Sequence, residues 1–193
     1  MKRPRRLSIH LAAMTLLGGF ALHSVSTAHA AQVITCHYAL TMRFSPALTL
    51  TPQDNVVTTV GNPDGVLSQC TGDPGMNGGQ FVSTGIGNGV TCGVGSYQDK
   101  SGGIDNVNWQ VTSGESTSGF TWKMEPVSDL LNVQNPLSGG LSTGRYKNAT
   151  WTVTVDPLQS KVNLADCNTL TGATGLTSMD LAGTAVFTVA DSG

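Results

Sequence analysis

The stretch Val33–Phe44, VITCHYALTMRF, alternates from end to end: Ile34, Cys36, Tyr38, Leu40, Met42 and Phe44 share one parity, and Thr35, His37, Thr41 and Arg43 the other. Successive side chains of a strand point to opposite faces, whereas a helix would scatter this apolar set around its circumference. The stretch therefore reads as a strand with one dry face and one wet face. NVNWQVT repeats the pattern, with Val107, Trp109 and Val111 opposite Asn106, Asn108, Gln110 and Thr112. FTWKME sets Phe120, Trp122 and Met124 against Thr121, Lys123 and Glu125, and LAGTAVFTV sets Leu181, Ala185, Phe187 and Val189 against Thr184 and Thr188. In NATWTVTV, Trp151 shares its parity with Ala149, Val153 and Val155, opposite Asn148, Thr150, Thr152 and Thr154. All three tryptophans are thus expected to face inward, each indole N–H needing a buried acceptor. Lys147 falls on the apolar parity, so the strand should emerge into solvent there or slip at a bulge.

Turn chemistry punctuates these segments: Asn62-Pro63-Asp64-Gly65, Gly72-Asp73-Pro74-Gly75, Ser101-Gly102-Gly103, and Asn135 to Gly140. Each supplies Pro to fix φ, or Gly or Asn to allow positive φ. The expected fold class is all-β: a single antiparallel β-sandwich, with a barrel as second choice. Residues 72–103 are glycine-rich and expected to form long loops, anchored by Phe81, Val90 and Cys92.

The first thirty residues are set apart as a secretory signal peptide: basic Lys2, Arg3, Arg5 and Arg6, an apolar run from Leu11 to Leu22, and Ala28-His29-Ala30 as cleavage site. Arg5-Arg6 also admits the twin-arginine route, but the general secretory route is the default. The β domain is then residues 31–193, expected to be secreted, either free or associated with the cell envelope. Cleavage leaves six basic against twelve acidic residues, a net charge of −6. Arg43, Lys100, Lys123, Arg145, Lys147 and Lys161 are scattered, so nucleic acid is not an expected partner. No later segment has the length and apolarity of a membrane span.

Four cysteines, Cys36, Cys70, Cys92 and Cys167, follow the leader; in an exported chain they read as two disulfides. Three pairings are possible, and the preferred one joins Cys36 to Cys70 and Cys92 to Cys167. Zinc would need close ligand pairs, and there is neither a C-x-x-C nor a mature histidine beyond His37.

No catalytic, cofactor or metal residue is assigned. A Ser-His-Asp site would have to use His37, which sits on the polar face of its strand. Gly85–Gly89, GIGNG, is followed by strand and turn rather than by the helix a phosphate cradle needs. Asp99, Ser101 and Asp105 could gather around calcium, but the loop lacks the carboxylate pattern of an EF-hand and reads as a solvated turn. Glu115 and Glu125 do not identify a glycosidase pair. Asn148-Ala149-Thr150 fits a glycosylation acceptor, and Thr150, Thr152 and Thr154 form a ladder that either faces an ordered surface such as a glycan or simply suits an outward strand face.

SPALTLTPQ (residues 45–53), LSQC (67–70), STGRYKNATWTVTV (142–155) and GLTSMDLAGTAVFTV (175–189), with the cysteine spacing, resemble small exported actinobacterial proteins with two disulfides and a β-rich domain. The resemblance implies a compartment and a fold and transfers no functional residue. Enediyne-carrying apoproteins are similar in acidity and disulfide number but close short local loops. TGRY (143–146) is reminiscent of the avidin group, from whose pattern the rest departs. The sequence reading is a non-catalytic binding or envelope-associated protein, with a glycan or a secreted protein as partner. The alternatives are a polysaccharide-acting enzyme using loop carboxylates, or a protease inhibitor presenting residues 72–79.

Overall fold

The computed structural model describes residues 31–92, 95–103, 105–127, 137–168, 170 and 172–190. The leader, the Asn135-Pro136 turn and the Glu125 side chain lie outside the described part. Nine strands follow one another: β1 (Gln32–Leu48), β2 (Val56–Thr71), β3 (Met76–Asn88), β4 (Gly95–Asp99), β5 (Asn106–Val111), β6 (Thr117–Val127), β7 (Leu137–Leu141), β8 (Thr150–Val155) and β9 (Leu176–Val189). The fold is all-β, but it is a closed antiparallel barrel and not the sandwich expected first. Strands pair in chain order, except that β4 and β5 both lie between β3 and β6, and β9 returns to β1 from Gln32↔Val189 to Leu48↔Leu176.

The alternation read from the sequence places the core. Ile34, Cys36, Tyr38, Leu40, Met42 and Phe44 are all buried, as are Trp109, Trp122, Met124, Val153, Val155, Leu181, Ala185 and Phe187. A period of two says which face is dry, not whether the sheet closes. Trp122 lies over Gly85, Trp151 over Gly139, Phe81 over Gly65 and Tyr97 over Gly87; a Cβ on any of these glycines would fall within 2.9 Å of the ring. Three of these are register partners on adjacent strands, so each glycine makes room for a ring from the stave beside it. Closure itself comes from the pairing of β9 with β1.

Two segments expected as turns or loops belong to the wall. Asn62-Pro63-Asp64-Gly65 lies within β2, where the register slips between Val60 and Gly65 against β3. Extra residues on one strand bend it, which a long strand needs to follow a curved wall; Arg43 closes on the bulge through an ion pair to Asp64 at 2.9 Å. Residues 72–103, expected as long loops, instead contain β3 and β4, and Gly85–Asn88 is strand. Gly72–Gly75 and Ser101–Gly103 do fall in the tight connections their chemistry implied.

The disulfides have the preferred pairing. Cys36–Cys70 staples β1 to β2, and Cys92–Cys167 ties the β3–β4 connection to a 3₁₀ turn (Leu164–Cys167) in the β8–β9 connection.

One stave is built from two pieces. β4 pairs with Gly85–Asn88 of β3 and β5 with Met76–Val82, and both also pair with β6. β4 and β5 thus share one position in an eight-stave ring, and the chain leaves the wall between them. The backbone groups stranded opposite the gap find other partners. Asp105 Oδ1 accepts from Thr84 N at 3.0 Å, Asp99 Oδ1 from Trp122 N at 2.7 Å, and the Asp105 carbonyl from Phe120 N at 3.1 Å. Side-chain carboxylates here stand in for missing strand carbonyls, because a buried N–H left unpaired is costly.

Candidate functional site

Strand parity directs thirteen side chains into one interior cavity of about 70 Å³, several times the roughly 10–15 Å³ that one water needs. Tyr38, Phe81, Trp109, Phe120, Trp151 and Phe187 supply its aromatic wall; aliphatic side chains complete it, and no lining residue is charged. Phe81, Phe120 and Trp151 point inward yet are only partly buried. The rings meet edge to face: Phe81 with Phe120 at 6.4 Å, Phe120 with Trp151 at 6.1 Å, and Trp109 with Phe187 at 5.4 Å between centroids. Such contacts hold the wall in a fixed shape.

At one end the cavity wall rests on a polar clamp. Trp109 packs edge to face on Tyr146 at 5.5 Å, and its Nε1 donates to Ser118 Oγ at 2.9 Å, which in turn donates to the Arg145 carbonyl. Arg145 gathers three connections: Nη1 reaches the Ser113 carbonyl at 3.0 Å and Nη2 pairs with Asp73 at 3.1 Å, while Tyr146 donates its hydroxyl to the same carboxylate. The Tyr146 hydrogen bond is the main cause that holds the Asp73 carboxyl below the usual carboxylate range. This pair is largely buried, with 19% and 14% of the side chains exposed, and nothing in the sequence joined Asp73 to residues so far along the chain.

The indole N–H groups separate into two kinds. Trp109 is satisfied by Ser118, and Trp122 by Asp105 Oδ1 at 3.2 Å. Trp151 Nε1 has no partner. Among the described residues the buried side-chain atoms without a hydrogen bond are Trp151 Nε1, Tyr38 Oη and Arg145 Nε, and the first two belong to residues lining the cavity. Tyr38 is 2% exposed, and burial pushes its hydroxyl well above the ordinary tyrosine value, so it stays protonated and able to donate.

The other candidate residues do not line the cavity. Asp99 and Asp105 lie together, but as ladder substitutes: Asp105 Oδ1 also accepts from Ser83 Oγ at 2.7 Å. Burial raises the Asp99 carboxyl to about 6, against the pull of the Trp122 N–H, with Asp105 adding to the rise. No group of three or more potential metal ligands occurs among the described residues. His37 is on the outer face, its Nε2 donating to Gln159 Oε1 at 3.1 Å, beside Asp156 and Thr184. Thr150, Thr152 and Thr154 are exposed on the outer face of β8. Lys147 and Asn148 lie in the positive-φ turn before β8, so the strand does end where Lys147 broke its parity. Residues 72–79 form a tight turn and then the start of β3, with Asp73 drawn into the clamp.

No family model, curated protein or solved structure matches the chain.

Proposed function

We propose that the chain is an exported, non-catalytic binding protein that holds a small apolar molecule inside its barrel. One observation carries this reading: an interior cavity of about 70 Å³, several times the space one water needs, is lined throughout by uncharged aromatic and aliphatic side chains. A cavity of that lining does not hold water well and is suited to an apolar occupant. The two disulfides fit an oxidising compartment outside the cell, and no described helix is long and apolar enough to cross a membrane. Against the enzyme alternative, Asp99 and Asp105 are engaged with backbone and indole N–H groups. Against the inhibitor alternative, residues 72–79 do not form a protruding loop.

Chemical-shift mapping on the oxidised chain titrated with isopropylbenzene tests the reading. Saturable shifts should cluster on Leu141, Val153 and Ala185 and disappear in Ala185→Leu, which fills the cavity, and in Leu141→Trp, which does so from another stave. Shifts spread over the outer face, or unchanged in both folded variants, would sink the proposal.

A further inference from the structure

The outer wall carries a concave site that is separate from the interior cavity. We propose that a cleft where β1, β9 and β8 lie side by side binds a neutral sugar unit, with His37, Asp156, Gln159 and Thr184 meeting its hydroxyls.

His37 on β1, Thr184 on β9 and Thr154 on β8 are register partners, so the three side chains stand in one row across the outer face. β8 stops at Val155, and the chain leaves the sheet in a turn, residues 156–160, before Lys161 returns to pair with Asp180. The row is the floor and the turn the wall of an open cleft of about 310 Å³, at the lower end of the range in which small ligands are held. The chain's own bonds fix that wall. Asp156 Oδ1 accepts from Leu158 N at 2.9 Å and its Oδ2 from Gln159 Nε2 at 2.7 Å, while Ser160 Oγ accepts from Ala182 N at 3.1 Å. Gln159 Oε1 accepts from His37 Nε2 at 3.1 Å, which joins wall to floor. Side chains held before a ligand arrives lose little freedom when it binds.

These bonds leave a mixed set of polar atoms. With Nε2 donating, His37 Nδ1 is an acceptor; Asp156 keeps lone pairs to spare, Gln159 Nε2 keeps a second hydrogen, and the exposed Thr184 hydroxyl can do both. A hydroxyl also gives one hydrogen and accepts others, so neighbouring hydroxyls on one ring suit this set better than a group that only donates or only accepts. An anion is disfavoured, because the lining holds one carboxylate and no lysine or arginine. An ammonium would gain a single solvent-exposed ion pair, which is worth little. Beside the polar atoms stand Pro157 and Leu158, the latter 94% exposed, as an apolar rim. A sugar ring brings both parts of the match: hydroxyls at its edge and C–H groups on its face.

The test is chemical-shift mapping of the oxidised chain titrated with four neutral probes, the methyl glycosides of glucose, galactose, mannose and N-acetylglucosamine, and with glucuronate and glucosamine as charged comparisons. A few hydrogen bonds in an open cleft place the dissociation constant in about the millimolar range, so each titration runs to about 50 mM. At least one neutral glycoside should give saturable shifts centred on His37, Thr184, Gly183 and residues 156–159. Thr184→Val, which removes the hydroxyl and keeps the shape, should weaken that binding by about two- to tenfold, and His37→Phe by at least as much. Thr121→Val, at an exposed threonine on β6 outside the cleft, should leave it unchanged. No saturable binding of any neutral glycoside, shifts scattered over the outer face, or wild-type affinity in both folded cleft variants would overturn the proposal. So would glucuronate binding as tightly as the glycosides, or glucosamine binding more than about tenfold tighter, which would make the cleft a site for cations. Each of these failures leaves the interior binding site standing.

Discussion

Asp105→Ala removes one carboxylate oxygen from three donors at once: Thr84 N at 3.0 Å, Ser83 Oγ at 2.7 Å and Trp122 Nε1 at 3.2 Å. The serine hydroxyl can turn elsewhere. The Thr84 N–H is fixed in β3 opposite the gap between β4 and β5, and the Trp122 indole is held over Gly85, so neither can follow. Leaving a buried donor unpaired costs about 1–3 kcal/mol, and the partial exposure of the site favours the lower half for each. The expected loss is about 3 kcal/mol. With a urea dependence of about 2 kcal/mol per M, the unfolding midpoint should fall by about 1.5 M. Asp105→Asn keeps an oxygen in place and loses only the charge, so it should cost about 1 kcal/mol. The measurement is equilibrium urea unfolding of the oxidised chain at neutral pH, followed by tryptophan fluorescence and circular dichroism. A midpoint for Asp105→Ala within about 0.5 M of wild type would refute the view that this carboxylate completes the wall. Equal losses in the two variants would show that charge, not acceptance of N–H groups, is what matters.

Ser118→Ala strands the buried Trp109 indole N–H and unlinks it from the Arg145 carbonyl; the same unfolding assay should show a loss of about 1–3 kcal/mol. Asp99 gives a pH signature: because its folded value of about 6 lies above the unfolded one, the folded state binds the extra proton. Wild type should therefore lose stability relative to Asp99→Asn as pH rises from about 4 to about 6, with a flat difference above that, as read from urea midpoints across the range. Asp73 has the opposite sign: its folded value is lowered, so its contribution is present above the ordinary carboxylate range and is lost as pH falls through the folded value, a loss that Asp73→Asn should not show.

Individual strands and their inner faces were legible because alternation is a local signal. In the Val33–Phe44 stretch Ile34, Cys36, Tyr38, Leu40, Met42 and Phe44 are all inside while Val33 and Ala39, on the other parity, are exposed, and the parity of Trp109, Trp122 and Trp151 was enough to place them. Closure was less legible, since it depends on which distant strand β1 meets. The inward glycines of β3, Gly79, Gly85 and Gly87, do not report it, because the rings over them, Trp109, Trp122 and Tyr97, come from strands alongside in the same wall and would fit an open sheet equally well. Asn62-Pro63-Asp64-Gly65 misled because turn chemistry and bulge chemistry use the same residues. The cavity was half visible. Each indole was known to need an acceptor, but which one lacked it emerges only when Ser118 and Asp105 are brought against Trp109 and Trp122 by strands from elsewhere in the chain.

The split stave also bears on how the protein behaves in company. A ring of strands offers a neighbouring molecule no free backbone to copy, whereas a break in the ring would expose the margins of β3 and β6 to an incoming strand. Filling that break with Asp99 and Asp105 blocks such docking: the N–H groups an intruder would need are already taken, and the oxygens that take them repel the carbonyls it would bring. Substitutions at these two positions should therefore be read for self-association as well as for folding, since they open a seam along which one copy could add to the next.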